Sequence, residues 1–116
     1  TRIHDMKVVG TAILKQCALR HADARRRLKG WLEDATRATW TSPADIRERY
    51  ASATIISGNC VKFDIRGGNY RLVACVNFEL SIVQILFVDT HEKYDRIDVA
   101  GLCREGANYV YQTNQD

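Results

Sequence analysis

The stretch that decides the fold spans residues 61–95 and reads VKFDIRGGNYRLVACVNFELSIVQILFVDTHEKYD. Apolar and charged side chains alternate over residues 60–66, which is typical of a strand with one buried face. Gly67 and Gly68 then form a hairpin turn signal. Residues 70–78 and 82–90 have the composition of two further strands, and the second of these is apolar on both faces, as expected inside a sheet. The stretch therefore predicts three neighbouring strands.

The rest of the chain is mainly helical and precedes these strands. The predicted order is a strand (3–9), three helices (12–20, 23–38 and 43–50), four strands (53–57, 60–66, 70–78 and 82–90) and a last helix (91–99). Thr11 and Ser42 offer capping hydroxyls to the first and third helices. This order predicts an α+β fold, with N-terminal helices on one face of a small, mainly antiparallel sheet and a short C-terminal helix. We assign residues 1–100 to the domain proper and 101–116 to a weakly patterned tail of the same domain.

Composition and charge place the chain among ordinary globular domains. It has 116 residues, 46% of them hydrophobic, and a net charge of +3, so a single domain with a sufficient core is expected without a metal or a disulfide. The mildly basic balance is compatible with a nucleic-acid partner but does not require one. No apolar run approaches the roughly 20 residues of a membrane span. We therefore expect a cytoplasmic protein with no membrane partner.

The four cysteines, at positions 17, 60, 75 and 103, have no spacing typical of a zinc site. Cys17 and Cys75 lie in apolar runs and are expected to be buried as small hydrophobic residues. Reduced cysteines in a cytoplasmic setting are the simplest interpretation. We predict no metal site and no cofactor.

One face of the predicted hairpin is polar. A two-residue turn at Gly67 and Gly68 places Asp64 opposite Arg71, and strand alternation gathers the polar side chains on one face: Lys62, Asp64, Arg66, Asn69 and Arg71. An arginine fork makes two hydrogen bonds to a phosphate, so this face suits a nucleic-acid backbone. The alternative is a solvated face on which Asp64 and Arg71 form a surface pair contributing less than ~1 kcal/mol.

A second polar group follows the last strand. His91 and Tyr94 are three residues apart, which brings them to one side of a helical turn. Histidine exchanges protons near neutral pH, so His91 is a candidate general acid or base. The alternative is a histidine at a helix start with no catalytic role.

Two motifs carry a resemblance to a known family. The runs GNYRL (residues 68–72) and THEKYD (residues 90–95) resemble the HigB family of bacterial toxins, in the RelE-like group of type II toxin–antitoxin systems. The resemblance extends from the first strand to about residue 99. It implies a RelE-like fold and a metal-independent endoribonuclease, an mRNA interferase that cuts mRNA on the ribosome and inhibits translation.

The resemblance also implies partners and roles. The expected partners are a HigA-type helix-turn-helix antitoxin, mRNA and the ribosome, with DNA bound only indirectly through the antitoxin complex. The resemblance assigns catalysis, by attack of the RNA 2′-OH, to Arg71, His91 and Tyr94. It assigns RNA binding to Lys62, Arg66, Asn69 and Lys93.

Two departures from the family pattern affect these expectations. Asp64 stands where related sequences often carry asparagine, and Lys62 is the only lysine on the predicted sheet face. The Asp64 carboxylate is therefore expected to neutralise part of the charge of Arg71. A non-catalytic RNA- or protein-binding module on the same fold is the alternative function, since only an enzyme needs His91 and Tyr94 beside Arg71.

Overall fold

The computed structural model describes residues 5–112, with side-chain surroundings up to residue 106. Up to β5 the elements follow the predicted order: β1 (Lys7–Val9), α1 (Thr11–Arg20), a 3-10 turn (Ala22–Ala24), α2 (Arg25–Arg37), α3 (Pro43–Arg49), β2 (Thr54–Ser57), β3 (Cys60–Ile65), β4 (Tyr70–Asn77) and β5 (Ile82–Thr90). The predicted last helix (91–99) is instead the single turn α4 (His91–Tyr94), and a separate helix, α5 (Val99–Gln112), follows it. The α+β prediction is confirmed. Residues 3 and 4 of the first predicted strand, and residues 113–116 of the predicted tail, lie outside the described part.

The five strands form one mixed sheet in the order β1-β5-β4-β3-β2. Only β1 and β5 pair in parallel among these strands; the other three pairs are antiparallel. β5 has the predicted bounds and lies between β1 and β4, which explains why both of its faces are apolar. The sheet is therefore mainly antiparallel, as the sequence predicted.

The main core lies between the sheet and the helices α1, α2 and α3. Phe63 on β3 is 1% exposed, and its ring contacts those of Trp31, Trp40 and Tyr50 at centroid distances of 5.3, 6.3 and 5.4 Å. Aromatic pairs at such distances stabilise a core beyond the burial of their area. These contacts fix α2 and α3 over the β3 strand.

The predicted caps of the first and third helices are wrong. Gly10, at φ 84°, precedes α1, and a Cβ at that position would lie 2.6 Å from the backbone oxygen of Ile85. The helix begins at Thr11 itself, so Gly10 occupies the N-cap position and the Thr11 hydroxyl does not cap the helix. Before α3 the Ser42 hydroxyl caps nothing; instead the Thr41 backbone N–H donates to the Asp45 carboxylate at 2.8 Å, which lowers the pKa of Asp45.

The C-terminal part of the chain differs most from expectation. Residues 101–112, where we expected a weakly patterned tail, belong to α5, which packs against the sheet face opposite the main core. There a second, smaller apolar cluster forms around Cys60, Val73 and Cys103, with Leu86 and Phe87 at its side. A register shift between β4 and β5 places the neighbouring residues Leu86 and Phe87 on this same face. Periodicity alone did not reveal this second layer.

The expectation of reduced cysteines without a disulfide is corrected by a Cys60–Cys103 bond. It joins β3 to α5 across a sequence separation of 43 residues. That spacing carries no sequence signal, because only the fold brings the two residues together. Cys17 and Cys75 are free and buried, as predicted, and burial raises the pKa of both thiols. Within residues 5–112, no helix is long and apolar enough to cross a membrane.

Replacing Cys103 with serine is expected to destabilise the oxidised protein. Opening a loop of 43 residues restores chain entropy to the unfolded state that corresponds to about 4 kcal/mol. Urea denaturation should therefore give a lower midpoint for the Cys103→Ser variant than for the oxidised wild type. Reductant should lower the wild-type midpoint toward that of the variant and leave the variant unchanged. Equal midpoints for both proteins without reductant would show that the bond does not form in solution.

Candidate functional site

The hairpin between β3 and β4 has the register predicted from the sequence. Asp64 pairs with Arg71, and Lys62 pairs with Val73. The turn is closed by hydrogen bonds from the Gly68 N–H to the Ile65 oxygen and from the Asn69 N–H to the Arg66 oxygen, both at 3.2 Å. This register places Lys62, Asp64 and Arg71 on the sheet face opposite the main core.

Asp64 is the centre of this face, because it binds two cations. Its Oδ1 accepts from Arg71 Nη1 in a very short contact and lies 3.2 Å from Lys62 Nζ. The three side chains are between 16% and 24% exposed, so water reaches them but screens them only in part. We call these three residues the Asp64 clamp; its formal charge is +1.

One nitrogen of Arg71 is left without a hydrogen bond. Its Nε is buried and has no hydrogen-bond partner in the part of the chain that the structure describes. The guanidinium also lies against the turn, where a Cβ on Gly68 would come within 3.2 Å of Nη1. Gly68, at φ 96°, therefore serves the turn and also leaves room for the arginine.

The segment after β5 is tied to the same turn. The His91 backbone N–H donates to the Asn69 oxygen at 3.0 Å, and the Thr90 hydroxyl caps α4 by accepting from the Lys93 N–H at 3.3 Å. The His91 side chain is 47% exposed, and its Nδ1 lies 4.0 Å from the Asp95 carboxylate. The fold thus brings the two sequence motifs, GNYRL and THEKYD, into direct contact.

Tyr94 lies between the second apolar cluster and the Asp64 clamp. Its ring centroid is 6.2 Å from that of Phe87. Burial raises the pKa of the Tyr94 hydroxyl, the positive charge of Arg71 opposes this effect, and the carboxylates of Asp95 and Asp64 add to it. The charges of Arg71 and Asp64 therefore both affect the pKa of the Tyr94 hydroxyl.

Arg66 is the predicted site residue that does not share this face. The residue has a left-handed φ of 54°, which interrupts the strand alternation used to place it. Its guanidinium lies 3.3 Å from Asp23, whose carboxylate also accepts a hydrogen bond from the Tyr70 hydroxyl at 2.6 Å. The prediction that Arg66 lies on the polar face is therefore wrong; it connects the turn to the helical side.

Sequence reasoning missed the charge cluster around Asp89. Its carboxylate is nearly buried and lies 3.2 Å from Arg20 Nη2, 3.5 Å from His21 Nε2 and 3.7 Å from Lys93 Nζ. A carboxylate at the end of an apolar strand was the only signal, and nothing in the sequence linked it to the end of α1. Lys93 is thus paired with an acidic residue, as Arg71 is.

Among the described residues, no group of three or more His, Cys, Asp or Glu side chains is placed to hold a metal ion.

The fold is that of RelE-like toxins. The chain superposes on a double arginine-to-alanine mutant of the Escherichia coli toxin RelE in the free state, with a TM-score of 0.53 and 17% identity over 94% of this chain and 99% of that one. Likeness extends, with lower TM-scores, to two complexes. The archaeal RelE–RelB complex from Pyrococcus horikoshii scores 0.47, with 17% identity over 77% of this chain and 96% of the other. The RelBE2 toxin–antitoxin complex from Mycobacterium tuberculosis scores 0.43, with 21% identity over 74% and 98%.

The sequence defines the family within this class. The profile of the HigB toxin family, the RelE-like toxic component of a toxin–antitoxin system, matches residues 24–97. This range holds both motifs and more than half of the chain. The protein therefore belongs to the HigB toxin family. None of the curated proteins compared with it gave a match.

Replacing Tyr70 with phenylalanine is expected to give a pH-dependent loss of stability. The hydrogen bond between the Tyr70 hydroxyl and the Asp23 carboxylate changes both pKa values. It is the main cause that lowers the pKa of Asp23 below its ordinary 3.8, and it raises the pKa of Tyr70 to about 12. The stabilisation from Asp23 is present above pH 3.8 and is lost as the pH falls through its lowered pKa. The stabilisation from Tyr70 is present below pH 10.0 and is lost as the pH rises through its raised pKa of about 12.

Thermal unfolding of the wild type and of Tyr70→Phe at a series of pH values checks this expectation. The difference in unfolding free energy should be steady around neutral pH and should shrink in acid and in strong alkali. A difference that is the same at neutral pH and in strong acid would contradict the assigned bond.

Proposed function

We propose that this toxin is an endoribonuclease that cleaves mRNA on the ribosome and thereby inhibits translation. The observation that carries the proposal is the Asp64 clamp, which holds Arg71 where its charge affects Tyr94, against the turn whose Asn69 oxygen accepts from the His91 N–H. The resemblance of the two motifs to those of the family supports the same activity. The proposed partners are mRNA, the ribosome and a HigA-type antitoxin in the cytoplasm, with DNA contacted only through the antitoxin complex.

The proposed reaction begins with attack of an RNA 2′-OH on the adjacent phosphorus. The new O–P bond forms as the bond to the 5′-oxygen breaks, which leaves a 2′,3′-cyclic phosphate and a 5′-hydroxyl. This requires removal of the 2′ proton, stabilisation of charge on the crowded phosphorus, and protonation of the leaving oxygen. None of these three tasks requires a metal ion.

Arg71 is proposed to stabilise the phosphorane charge. Its guanidinium is fixed in place by Asp64, and the side chain is 24% exposed, so a phosphate can approach it. A pre-oriented donor is effective because it does not have to reorganise during the reaction. The incoming phosphate must, however, share Arg71 with the Asp64 carboxylate.

His91 and Tyr94 are proposed to complete the site. The exposed His91 ring is free to meet a substrate and to transfer a proton. The raised pKa of Tyr94 keeps its hydroxyl protonated near neutral pH, so it serves as a hydrogen-bond donor or as a ring on which a base stacks. We propose Lys62, Asn69 and Lys93 as RNA contacts around these three residues, without Arg66, which pairs with Asp23 on the helical side.

The Asp64 clamp also favours a second candidate function. A carboxylate bound to both Lys62 and Arg71 weakens the attraction of this face for phosphate. A non-catalytic RNA- or protein-binding module on the same fold tolerates that weakening better than an enzyme does. The two functions differ in whether bound RNA is cut.

Arg71→Ala is expected to abolish toxicity. Loss of the charge stabiliser should lower the rate of mRNA cleavage by roughly 10²–10³-fold, the usual effect of removing one such donor. Toxicity is measured by growth after induction, and the rate of cleavage by the fragments formed from a translated reporter mRNA. Arg47→Ala is the matched control, because Arg47 is an exposed arginine on α3, away from the clamp.

Full toxicity of a folded Arg71→Ala variant would contradict the catalytic assignment. Wild-type protein that binds RNA without cutting it, on or off the ribosome, would favour the binding module instead.

Asp64→Asn is expected to strengthen RNA binding. Removing the carboxylate frees Lys62 and Arg71 for phosphate, so the clamp gains one positive charge. Affinity for a 2′-O-methyl RNA oligonucleotide, which cannot be cut, should rise, and the slope of log K against log salt should steepen by about 0.7 for each additional phosphate neutralised. Asp34→Asn is the control, since Asp34 pairs with Arg49 on the helical layer. Equal affinity and salt slope in Asp64→Asn and the wild type would show that the clamp does not restrain RNA binding.

A further inference from the structure

Three of the four cysteines meet on the sheet face opposite the main core. Cys60 lies on β3 and is bonded to Cys103 of α5. Cys75 lies on β4 as a free, buried thiol, and it is the strand partner of Cys60. These three residues line one cavity of about 230 Å³, whose other walls are residues 57–59 and Arg104. A free thiol therefore lies next to a disulfide bond.

The strand register brings Cys60 and Cys75 close together. Directly opposite residues of an antiparallel pair point to the same face of the sheet. The Val76 N–H donates to the Asn59 oxygen at 2.9 Å, so the next pair along the strands, Cys60 and Cys75, is a non-hydrogen-bonded pair. The Cα atoms of such a pair are about 4.5 Å apart, within the range of about 4.4–6.8 Å found for disulfides. Cys75 can therefore bond to the sulfur atom of Cys60 that now binds Cys103.

We propose that Cys60, Cys75 and Cys103 form a thiol–disulfide exchange site, in which Cys75 displaces Cys103 from Cys60. The Cys75 thiolate attacks Sγ of Cys60, a Cys75–Cys60 bond forms, and the Cys60–Cys103 bond breaks. Cys103 leaves as a thiolate and takes up the proton that Cys75 released. One disulfide and one thiol are present before and after the step, so the exchange needs neither an oxidant nor a reductant.

Burial is expected to keep this exchange slow near neutral pH. The thiolate is the form of cysteine that attacks a disulfide. Burial raises the pKa of Cys75, so its thiol stays protonated at neutral pH. Among the described residues, Arg104 is the only charged one that lines the cavity, and it is exposed. The rate of exchange should therefore rise about tenfold for each pH unit below the raised pKa of Cys75.

The exchange removes the covalent bond that holds α5 on the sheet. The helix then keeps its apolar contacts, to which it contributes Val99 and Leu102, but loses the link from Cys103 to β3. Tyr94 belongs to the same apolar cluster. Movement of α5 therefore loosens the packing of Tyr94. This link to catalysis rests on the proposed function, whereas the sulfur exchange itself does not.

Disulfide mapping of the wild-type protein tests the exchange. The oxidised protein is incubated without oxygen or reductant at a series of pH values from neutral to alkaline, quenched in acid, alkylated in acidic denaturant and analysed by peptide mass spectrometry. We expect the alkyl label to move from Cys75 to Cys103, with a first-order rate that rises about tenfold per pH unit. Cys17→Ala is the control and should exchange as the wild type does. Cys75→Ala should keep the Cys60–Cys103 bond at every pH, and Cys103→Ser, which has no disulfide to exchange, should keep both remaining thiols of the site.

A label that stays on Cys75 at every pH would overturn the inference. A bond between Cys75 and Cys103 would also overturn it, because Cys60 would then not be the residue attacked. A rate that rises with protein concentration would show exchange between chains and would contradict the intramolecular step. Loss of exchange in Cys17→Ala would count against Cys75 as the attacking thiol.

Two further measurements follow α5 and the proposed catalytic site. Amide hydrogen exchange at residues 99–106 should be faster in the exchanged form than in Cys75→Ala, and equal rates would refute the loosening of α5. Cleavage of RNA by the exchanged form should fall by roughly 10²-fold, the effect of misplacing a catalytic group by about 1 Å. Unchanged cleavage would refute the link to Tyr94. A wild-type protein that does not cleave RNA before the exchange would contradict the catalytic proposal alone, because the mapped bonds do not depend on cleavage.

Discussion

The carboxylate of Asp64, shared between Lys62 and Arg71, is the interaction on which the site depends. Without it, two cations would face each other on neighbouring strands in a partly buried setting, where repulsion is screened less than in bulk water. The carboxylate fixes the guanidinium against the turn, where its charge affects the Tyr94 hydroxyl. The same bond competes with any phosphate that approaches Arg71. The Asp64 carboxylate therefore both orders the Arg71 side chain and limits its binding to phosphate.

The clamp in turn requires the register of β3 and β4. Register is fixed by the turn at residues 66–68, whose positive φ values of 54°, 66° and 96° let the chain reverse within a few residues. A slip of one residue would move Asp64 and Arg71 to the core face and Phe63 to solvent, so the aromatic contacts of the main core enforce the same register. The packing of Phe63 on one face of the sheet thereby positions Asp64 and Arg71 on the other face.

The structure could be predicted from the sequence where the local residue pattern determines the strand bounds and the strand register. The alternation of residues 60–66 and the Gly67-Gly68 turn were enough to place Asp64 opposite Arg71, and the bounds of β5 followed from its apolar run. The predictions were wrong where contacts between residues distant in sequence determine the local structure. The left-handed φ of Arg66 turns that side chain to Asp23. The first helix begins at Thr11 itself, so the predicted cap is absent, and α5 is held by a disulfide that the cysteine spacing does not indicate. Arg20, one partner of Asp89, lies at the end of a helix 69 residues earlier, so no local pattern could link the two residues.

Whether the Asp64 clamp receives RNA is tested by an NMR titration of the wild-type protein with a 2′-O-methyl RNA oligonucleotide, which cannot react through its 2′ position. We expect the shifts in backbone amide and arginine side-chain signals to be concentrated at the β3–β4 hairpin and at α4, with the largest change at Arg71. Shifts confined to α1 and α2, or none at Arg71 under saturating RNA, would contradict the claim that the Asp64 clamp and the end of β5 form the site that receives RNA.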